Sequence, residues 1–234
     1  MQLFYNPDIH ASQSEVTFDR EESKHIVKVL RKKIDDILYI TNGRGDLFLV
    51  QVIDPNINKC STKIISKEKK PQRSYHVHLA VAPTKMNDRF EWFLEKATEI
   101  GIDEISPIIC DHSERKVIKE ERFERILQSA MKQSLQTYLP KLNKVQSFSE
   151  FMAKDVKGQR FIAHCEETQK KTFKQVLEKD KDLVLLIGPE GDFSANEIQL
   201  ALEQEYLPVS LGETRLRTET AAIVGVHTVA LLNE

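Results

Sequence analysis

Apolar positions follow two different rhythms along this chain. Near the start they come in short alternating runs. Ile37-Leu38-Tyr39-Ile40-Thr41 leads into Asn42-Gly43-Arg44-Gly45-Asp46, then Leu47-Phe48-Leu49-Val50-Gln51-Val52-Ile53, closed by Asp54-Pro55-Asn56. That order predicts strand, tight turn, strand and stop. Thr62-Lys63-Ile64-Ile65 predicts a third strand. One helix precedes them: Asp19 is placed as N-cap with Glu22 three residues on, and Ile26, Val27 and Leu30 follow on one face. Short strands and one helix within residues 1–70 predict a small β-barrel.

Beyond Arg73 the rhythm changes to apolar strands separated by helical spacing. Strands are predicted at 77–82, 105–109, 160–163, 183–187 and 208–211. Helices are predicted at 87–100, 121–134, 194–204 and 218–232, with Gly101 ending the first of them. Strands apolar on both faces and alternating with helices predict an α/β fold with a mostly parallel, doubly covered sheet. The charged run Lys67-Glu68-Lys69-Lys70-Pro71-Gln72-Arg73 lacks apolar residues and contains a proline, so it is read as a linker between residues 1–70 and 74–234.

Composition narrows the class. Of 234 residues, 40% are hydrophobic and 30% charged, enough for a packed core. No apolar run approaches a membrane span, and Met1-Gln2-Leu3-Phe4-Tyr5-Asn6-Pro7-Asp8 lacks the features of a secretory signal. Cys60, Cys110 and Cys165 are odd in number and widely spaced, which makes a disulfide framework unexpected and a reducing cytoplasm the expected location. Net charge is −2, but residues 1–73 hold 13 Lys and Arg against 10 Asp and Glu, while the rest hold 21 against 26. A slightly basic front end on an acidic body suggests a binding module joined to something else.

Two loops carry candidate chemistry. Leu183-Val184-Leu185-Leu186-Ile187-Gly188-Pro189-Glu190-Gly191-Asp192-Phe193-Ser194 runs from a buried strand through a tight loop to a helix. Ser194 and Glu197 are spaced as a capping box, with Phe193 and Ile198 at the positions of a hydrophobic staple. Such loops at the carboxyl ends of sheet strands bind ligands in open α/β folds; the plain alternative is a strand–helix connection. The loop is neither a dinucleotide fingerprint nor a Walker A loop. Glu190 and Asp192 would repel a polyphosphate and suit a ribose, an amine or a cationic centre. The second loop, Leu211-Gly212-Glu213-Thr214-Arg215-Leu216-Arg217-Thr218-Glu219-Thr220, also leaves a strand at a glycine and enters an apolar helix, which Thr218 is placed to cap. Here too a solvated loop is the alternative.

These loops together resemble the SPOUT class of methyltransferases, and most closely the family that methylates N3 of a uridine in bacterial 16S ribosomal RNA. The likeness extends to His25-Ile26-Val27-Lys28-Val29-Leu30-Arg31, Lys96-Ala97-Thr98-Glu99-Ile100-Gly101 and Ala130-Met131-Lys132-Gln133-Ser134. The resemblance implies a PUA-like β-barrel followed by a trefoil-knotted domain. It also implies a homodimer acting on the small ribosomal subunit with S-adenosylmethionine as cofactor; hydropathy and ligand spacing leave neither a membrane nor a metal expected.

Carried onto this sequence, cofactor contacts fall on Ile187, Gly188, Glu190, Gly191, Leu211, Gly212, Leu216, Arg217, Thr218 and Thr220. Glu219 is the candidate base and Arg217 the group that stabilises developing charge, although a first-turn glutamate also simply stabilises a helix. RNA contacts are expected at Lys24, His25, Lys28, Arg31, Arg89, Lys96 and Gln133. Lys24, Lys28 and Arg31 would share one helix face, either phosphate-binding or merely solvated. Arg89, Trp92 and Lys96 share another, with Trp92 a stacking ring or a core residue. Two positions depart from the family pattern: Asp192 replaces a glycine, and Leu135-Gln136 stands where an arginine is usual. The spaced pairs His76/His78 and Cys110/His112 lack a second cluster of zinc spacing and read as structural. Two other readings compete: a non-catalytic RNA-binding assembly factor, and a nucleotide- or phosphate-using enzyme, against which the acidic glycine loop argues.

Overall fold

The computed structural model describes residues 2–166 and 169–234. The chain divides into two compact units, Met1–Gln72 with Met131–Leu139, and Arg73–Ala130 with Pro140–Glu234. Among the described residues no helix is long and apolar enough to cross a membrane.

The first unit contains β1 (Leu3–Tyr5), β2 (Glu15–Thr17), α1 (Arg20–Lys24), β3 (Ile37–Thr41), β4 (Asp46–Asp54) and β5 (Ser61–Lys69). The strands form one sheet in the order β1-β3-β4-β5-β2. β1 runs parallel to β3 and the other pairs are antiparallel. Register shifts at Leu49/Val50 and Val52/Asp54 bend β4. Phe4, Ile9, Ile26, Leu38, Ile40 and Phe48 close over the concave side as the core. Asp19 caps α1 by accepting the Glu22 amide at 2.8 Å.

Two expectations need correcting here. The run expected as a linker begins inside a strand: Lys67, Glu68 and Lys69 pair with Phe48, Leu47 and Asp46. Charge does not stop an antiparallel ladder, because Lys67 and Lys69 both reach the Asp46 carboxylate, at 3.2 and 3.6 Å. The basic helix face is also broken. After Lys24 the chain makes a π-helical turn over His25–Val29, with the Leu30 amide on the His25 carbonyl. Arg31 then adopts φ +55°, so it leaves the row that an α-helix would have given it.

In the second unit the order is β6 (Val77–Val81), α2 (Asn87–Ile100), β7 (Glu104–Ile109), α3 (Glu120–Gln133, whose residues from Met131 on belong to the first unit), β8 (Lys141–Leu142), β9 (Gln146–Ser147), α4 (Phe148–Met152), β10 (Gln159–Ala163), β11 (Lys171–Thr172), α5 (Phe173–Val176), β12 (Leu183–Ile187), α6 (Ala195–Glu203), β13 (Leu207–Ser210) and α7 (Thr218–Asn233). The sheet runs β11-β13-β10-β12-β6-β7-β8, with β9 also on β7, and its described pairings are all parallel. Every residue of β6 and β12 is buried, as a strand covered on both faces requires. α2 packs against α7, and Gly225 of α7 admits Leu185 of β12 where a Cβ would lie 2.5 Å from the leucine Cδ2.

One buried titratable group gives this unit a pH signature. His78 on β6 is 8% exposed, hydrogen-bonded to the Ser106 hydroxyl at 2.8 Å and edge-on to Phe151. Burial, only partly opposed by Glu104, pulls its imidazole down to about 4. An unfolded histidine takes its proton near pH 6.5, so between about 6.5 and 4 the unfolded chain binds a proton that the folded chain refuses. Stability is therefore whole above that window and falls as pH is lowered through it, by about 3 kcal/mol at the lower end. Urea melts at pH 7 and pH 5 should show the drop, and His78→Gln should flatten it.

Candidate active site

Parallel register brings three strand ends to one edge of the sheet. Ala163 of β10 lies beside Ile187 of β12 and Val209 of β13, so the loops after β10, β12 and β13 converge where such folds bind ligands.

The loop after β12 is fixed on every side. The Asp192 amide donates to the Pro189 carbonyl at 3.0 Å, and Asp192 sits at φ +66°. Aspartate tolerates that left-handed conformation better than most residues, which accounts for its standing where glycine was expected. Its carboxylate also ties two elements: Oδ2 accepts the Cys165 amide at 2.7 Å and Oδ1 the Phe193 amide at 2.9 Å. Phe193 and Ile198 both enter the core cluster with Phe148 and Leu186, as a staple should. Ser194 and Glu197 complete the capping box of α6. Glu197 further accepts the Asp111 amide at 3.0 Å, and the Ser194 hydroxyl donates to Asp111 at 2.6 Å. His112 Nδ1 donates to the carbonyls of Gly191 and Asp192, each at 3.1 Å. Asp111 and His112, at the end of β7, thus brace the glycine loop. The sequence reads His112 as a structural half of the Cys110/His112 pair and gives no sign of this role, since nothing local announces a bond 79 residues away.

Two adjoining cavities occupy the strand-end edge. One, of about 270 Å³, is lined by Ile187, Gly188, Glu190, Leu216, Arg217 and Thr218 among others. The second, of about 360 Å³, takes Leu211, Gly212 and Leu216 together with His164, Lys170 and Ser210. Cys165 and Arg215, which the sequence reading did not select, line both. Gly191 lines neither; a Cβ there would lie 3.0 Å from His112 Cβ. Thr218 does not cap α7, because Arg217 is the N-cap and lacks a side-chain cap bond. The Thr218 hydroxyl instead donates to the Gly188 carbonyl at 3.0 Å, clasping the two loops. Glu190 Oε1 accepts the Lys85 amide at 2.9 Å, which holds its carboxyl at the rim.

The donor set suits a nucleoside carrying a cationic centre. Gly188, Pro189, Gly212, Ala163, Thr218 and Ala221 leave the backbone accessible, and Glu190 and Asp192 supply negative charge opposite Arg215 and Arg217. Buried His164 Nδ1 is without a partner among the described residues. Burial, then Lys170, lowers the His164 pKa, so the ring favours its neutral form, able to accept or donate to a heterocycle.

A third cavity, of about 710 Å³, adjoins the first through Arg215, Leu216 and Arg217. Asp88, Arg89 and Trp92 of α2 form one wall, and Glu219 and Thr220 of α7 the other. Glu219 is only 6% exposed. Its Oε1 lies 3.9 Å from Arg89 Nε, too far for a hydrogen bond, and its Oε2 is buried without a partner among the described residues. Trp92 is exposed, so the core alternative fails for it. Thr220 faces this cavity rather than the first two. Lys96 lies elsewhere, held by Glu95 and Glu99 at 2.7 and 2.9 Å.

In the first unit, Lys24, Lys28, Arg31 and Gln133 are exposed. His25 is half-buried, hydrogen-bonded to Gln2 and edge-on to Phe4. Neighbouring Lys132 is paired with Glu22 at 3.1 Å. Leu135 takes φ +59° with its side chain in solvent. Among the described residues no group of three metal-ligating side chains comes together.

Comparison with known proteins agrees with this geometry. Residues 70–230 match the family described as an RNA methyltransferase domain, and residues 18–65 match an RNA methyltransferase PUA domain. Ribosomal RNA small subunit methyltransferase E of Buchnera aphidicola is 32% identical over 89% of this chain and 85% of its own length. A crystal structure of an rRNA-methyltransferase candidate from Porphyromonas gingivalis superposes with a TM-score of 0.92 at 40% identity, covering 100% of this chain and 98% of that one. The structure of a methyltransferase candidate from Legionella pneumophila, solved with bound S-adenosylmethionine, superposes with a TM-score of 0.88 at 27% identity over 99% and 97% of the two chains.

Proposed function

Since the chain belongs to the ribosomal RNA small subunit methyltransferase E family of RNA methyltransferases, we propose that it methylates N3 of a uridine in 16S ribosomal RNA, using S-adenosylmethionine. The observation that carries this reading is the junction at Arg217. A nucleoside-sized cleft and a larger open cavity meet there, with a buried carboxylate in the wall of the second.

In this reading the backbone around Gly188, Leu211, Gly212 and Leu216 holds adenine and ribose, with Glu190 near the polar end. When bound, S-adenosylmethionine supplies a sulfonium-activated methyl group, so the protein contributes mainly position and field. Fixing the reacting atoms at near-attack distance is worth roughly 7–11 kcal/mol. Uridine N3 carries a proton that must leave, and Glu219 accepts it. Arg217 then stabilises the charge that develops on the flanking carbonyl oxygens. A stacked or paired uridine has to be extruded before this.

The same reading assigns residues 1–70 to a PUA-like RNA-binding domain and 74–234 to a trefoil-knotted catalytic domain. Lys24, His25, Lys28, Arg31, Arg89, Lys96 and Gln133 hold RNA without reading its sequence. The enzyme acts as a cytoplasmic homodimer on the small subunit or its RNA.

The test is methyl transfer from labelled S-adenosylmethionine to small subunits from cells lacking this protein, with the product nucleoside identified by mass spectrometry. Appearance of 3-methyluridine supports the reading. Tight cofactor binding without transfer to subunits or naked rRNA shifts the target, and loss of cofactor binding favours a non-catalytic RNA-binding factor.

A further inference from the structure

We propose that Arg115 is a positioning residue for the cofactor, acting through the Thr84–Lys85 peptide group to hold Glu190 at the rim of the strand-end cleft. The inference rests on the reading above for the identity of the cofactor, but not for the contact itself.

The turn after β7 is the origin. The buried Ser113 hydroxyl accepts the Cys110 amide at 2.9 Å, and the Ser113 amide donates to the Cys110 carbonyl at 3.0 Å. From this one turn, side chains reach two other loops. His112 holds the Gly191 carbonyl, and Arg115 reaches the segment that follows β6. Arg115 Nε donates to the Thr84 carbonyl at 3.0 Å and to the Lys85 carbonyl at 3.2 Å, while Nη2 donates to the Lys85 carbonyl at 2.7 Å. A planar guanidinium can serve two consecutive carbonyls in a fixed geometry; an ammonium is a single point charge.

The Thr84 carbonyl and the Lys85 amide are the two ends of one planar peptide group. Arg115 binds its oxygen end, and Glu190 Oε1 accepts from its nitrogen end at 2.9 Å. The plane cannot rotate away from Glu190 without breaking the bond to the arginine. A cation on the carbonyl also polarises the amide, which makes its N–H a stronger donor to the carboxylate. Thr84 is fully buried and its hydroxyl donates to the Met86 carbonyl at 2.7 Å, so the segment has little freedom of its own. Glu190 is half-buried, borders the 270 Å³ cleft and precedes Gly191. The same turn therefore fixes Glu190 twice, through its neighbour's carbonyl and through its own Oε1. A carboxylate tied through one oxygen keeps the other for a donor or cation entering the cleft. Ordering it beforehand removes an entropy cost from binding, and that is the contribution of Arg115.

The test is a double-mutant cycle on S-adenosylmethionine affinity by titration calorimetry, with amide hydrogen exchange of the unliganded protein beside it. Arg115→Ala should weaken binding about 5- to 30-fold, the loss expected for one charge-assisted hydrogen bond. Glu190→Ala should weaken it at least as much. The double variant should bind no worse than Glu190→Ala alone, since the arginine then has nothing to position. Arg115→Lys keeps the charge and loses the fork; it should fall between Arg115→Ala and wild type, and it carries the same cycle if Arg115→Ala folds poorly. Glu114→Gln, which removes only the surface ion pair with the Lys85 side chain, should bind as wild type does. In Arg115→Ala the Lys85 amide should exchange several-fold faster, while the Ala82 amide, which donates to the Ile187 carbonyl at 3.0 Å, keeps its rate. Acceleration of both amides would mark a general loss of stability and overturn the proposal, as would additive losses in the cycle or an unchanged Lys85 rate. If the Lys85 amide responds to Arg115 and to Glu190 but the wild-type protein does not bind S-adenosylmethionine, the cofactor reading falls and the link through the peptide stands.

Discussion

Glu219→Gln is expected to lower kcat for methyl transfer by about 10²- to 10⁴-fold at neutral pH, the range over which a positioned general base contributes, while the affinity for S-adenosylmethionine stays within a few-fold. Glutamine keeps the shape and the first-turn position at the start of α7 but cannot take the N3 proton. The split between kcat and cofactor affinity is the decisive feature. Glu219 lines the outer cavity and neither of the two strand-end cavities, so a loss confined to kcat fits a base, and a parallel loss of cofactor binding fits a merely structural glutamate. Glu219 is nearly buried, so the melting temperature must be measured beside the rate. Removing the charge of a carboxylate whose Oε2 lacks a partner and whose Oε1 stands 3.9 Å from Arg89 should change the melting temperature little. Unchanged kcat with intact folding would remove Glu219 from the chemistry. Arg217→Ala, which takes away one stabilising cation rather than the base, should cost about 10²- to 10³-fold.

Much of the frame was legible because it is local. The capping box of Ser194 and Glu197, the staple of Phe193 and Ile198, and the left-handed turn at Asp192 each depend on residues within a few positions of one another. β12, apolar throughout, and β6, apolar but for His78, could be read as central strands because burial on both faces leaves no regular polar alternation. Three kinds of feature escaped. Bracing by Asp111 and His112 depends on register between β7 and α6, and periodicity does not encode which loops will meet. The approach of Arg89 to Glu219 joins the starts of two helices 130 positions apart in sequence. The fate of charged residues was misread where backbone pairing, not composition, decides: Lys67–Lys69 continue a strand because Asp46 lies opposite. Arg31 leaves its helix face through a π-helical turn that no residue of His25–Val29 signals.

Gly188→Val should weaken S-adenosylmethionine binding by roughly 10- to 100-fold in titration calorimetry, with a fall in melting temperature. A Cβ at position 188 would lie 3.0 and 3.1 Å from Phe193 Cδ2 and Cε2, and 3.2 Å from the Phe193 amide nitrogen. Overpacking of that kind costs about 1–3 kcal/mol, and each 1.4 kcal/mol is tenfold in affinity. The strain has few ways out. Phe193 is held in the core with its centroid 5.5 Å from Phe148, its amide is tied to Asp192, and Asp192 in turn holds Cys165. The Gly188 carbonyl is clasped by Thr218. Relief must therefore come from the loop itself, and the loop lines the 270 Å³ cleft. Gly188→Ala should fall between wild type and valine. Shortening the opposing ring distinguishes this route from a general loss of stability: if the clash with Phe193 is the cause, Gly188→Ala combined with Phe193→Leu should bind better than the two separate losses would sum to, because residues in contact are not additive. Strict additivity, or wild-type affinity in Gly188→Val, would mean that the cleft does not depend on the missing side chain at position 188.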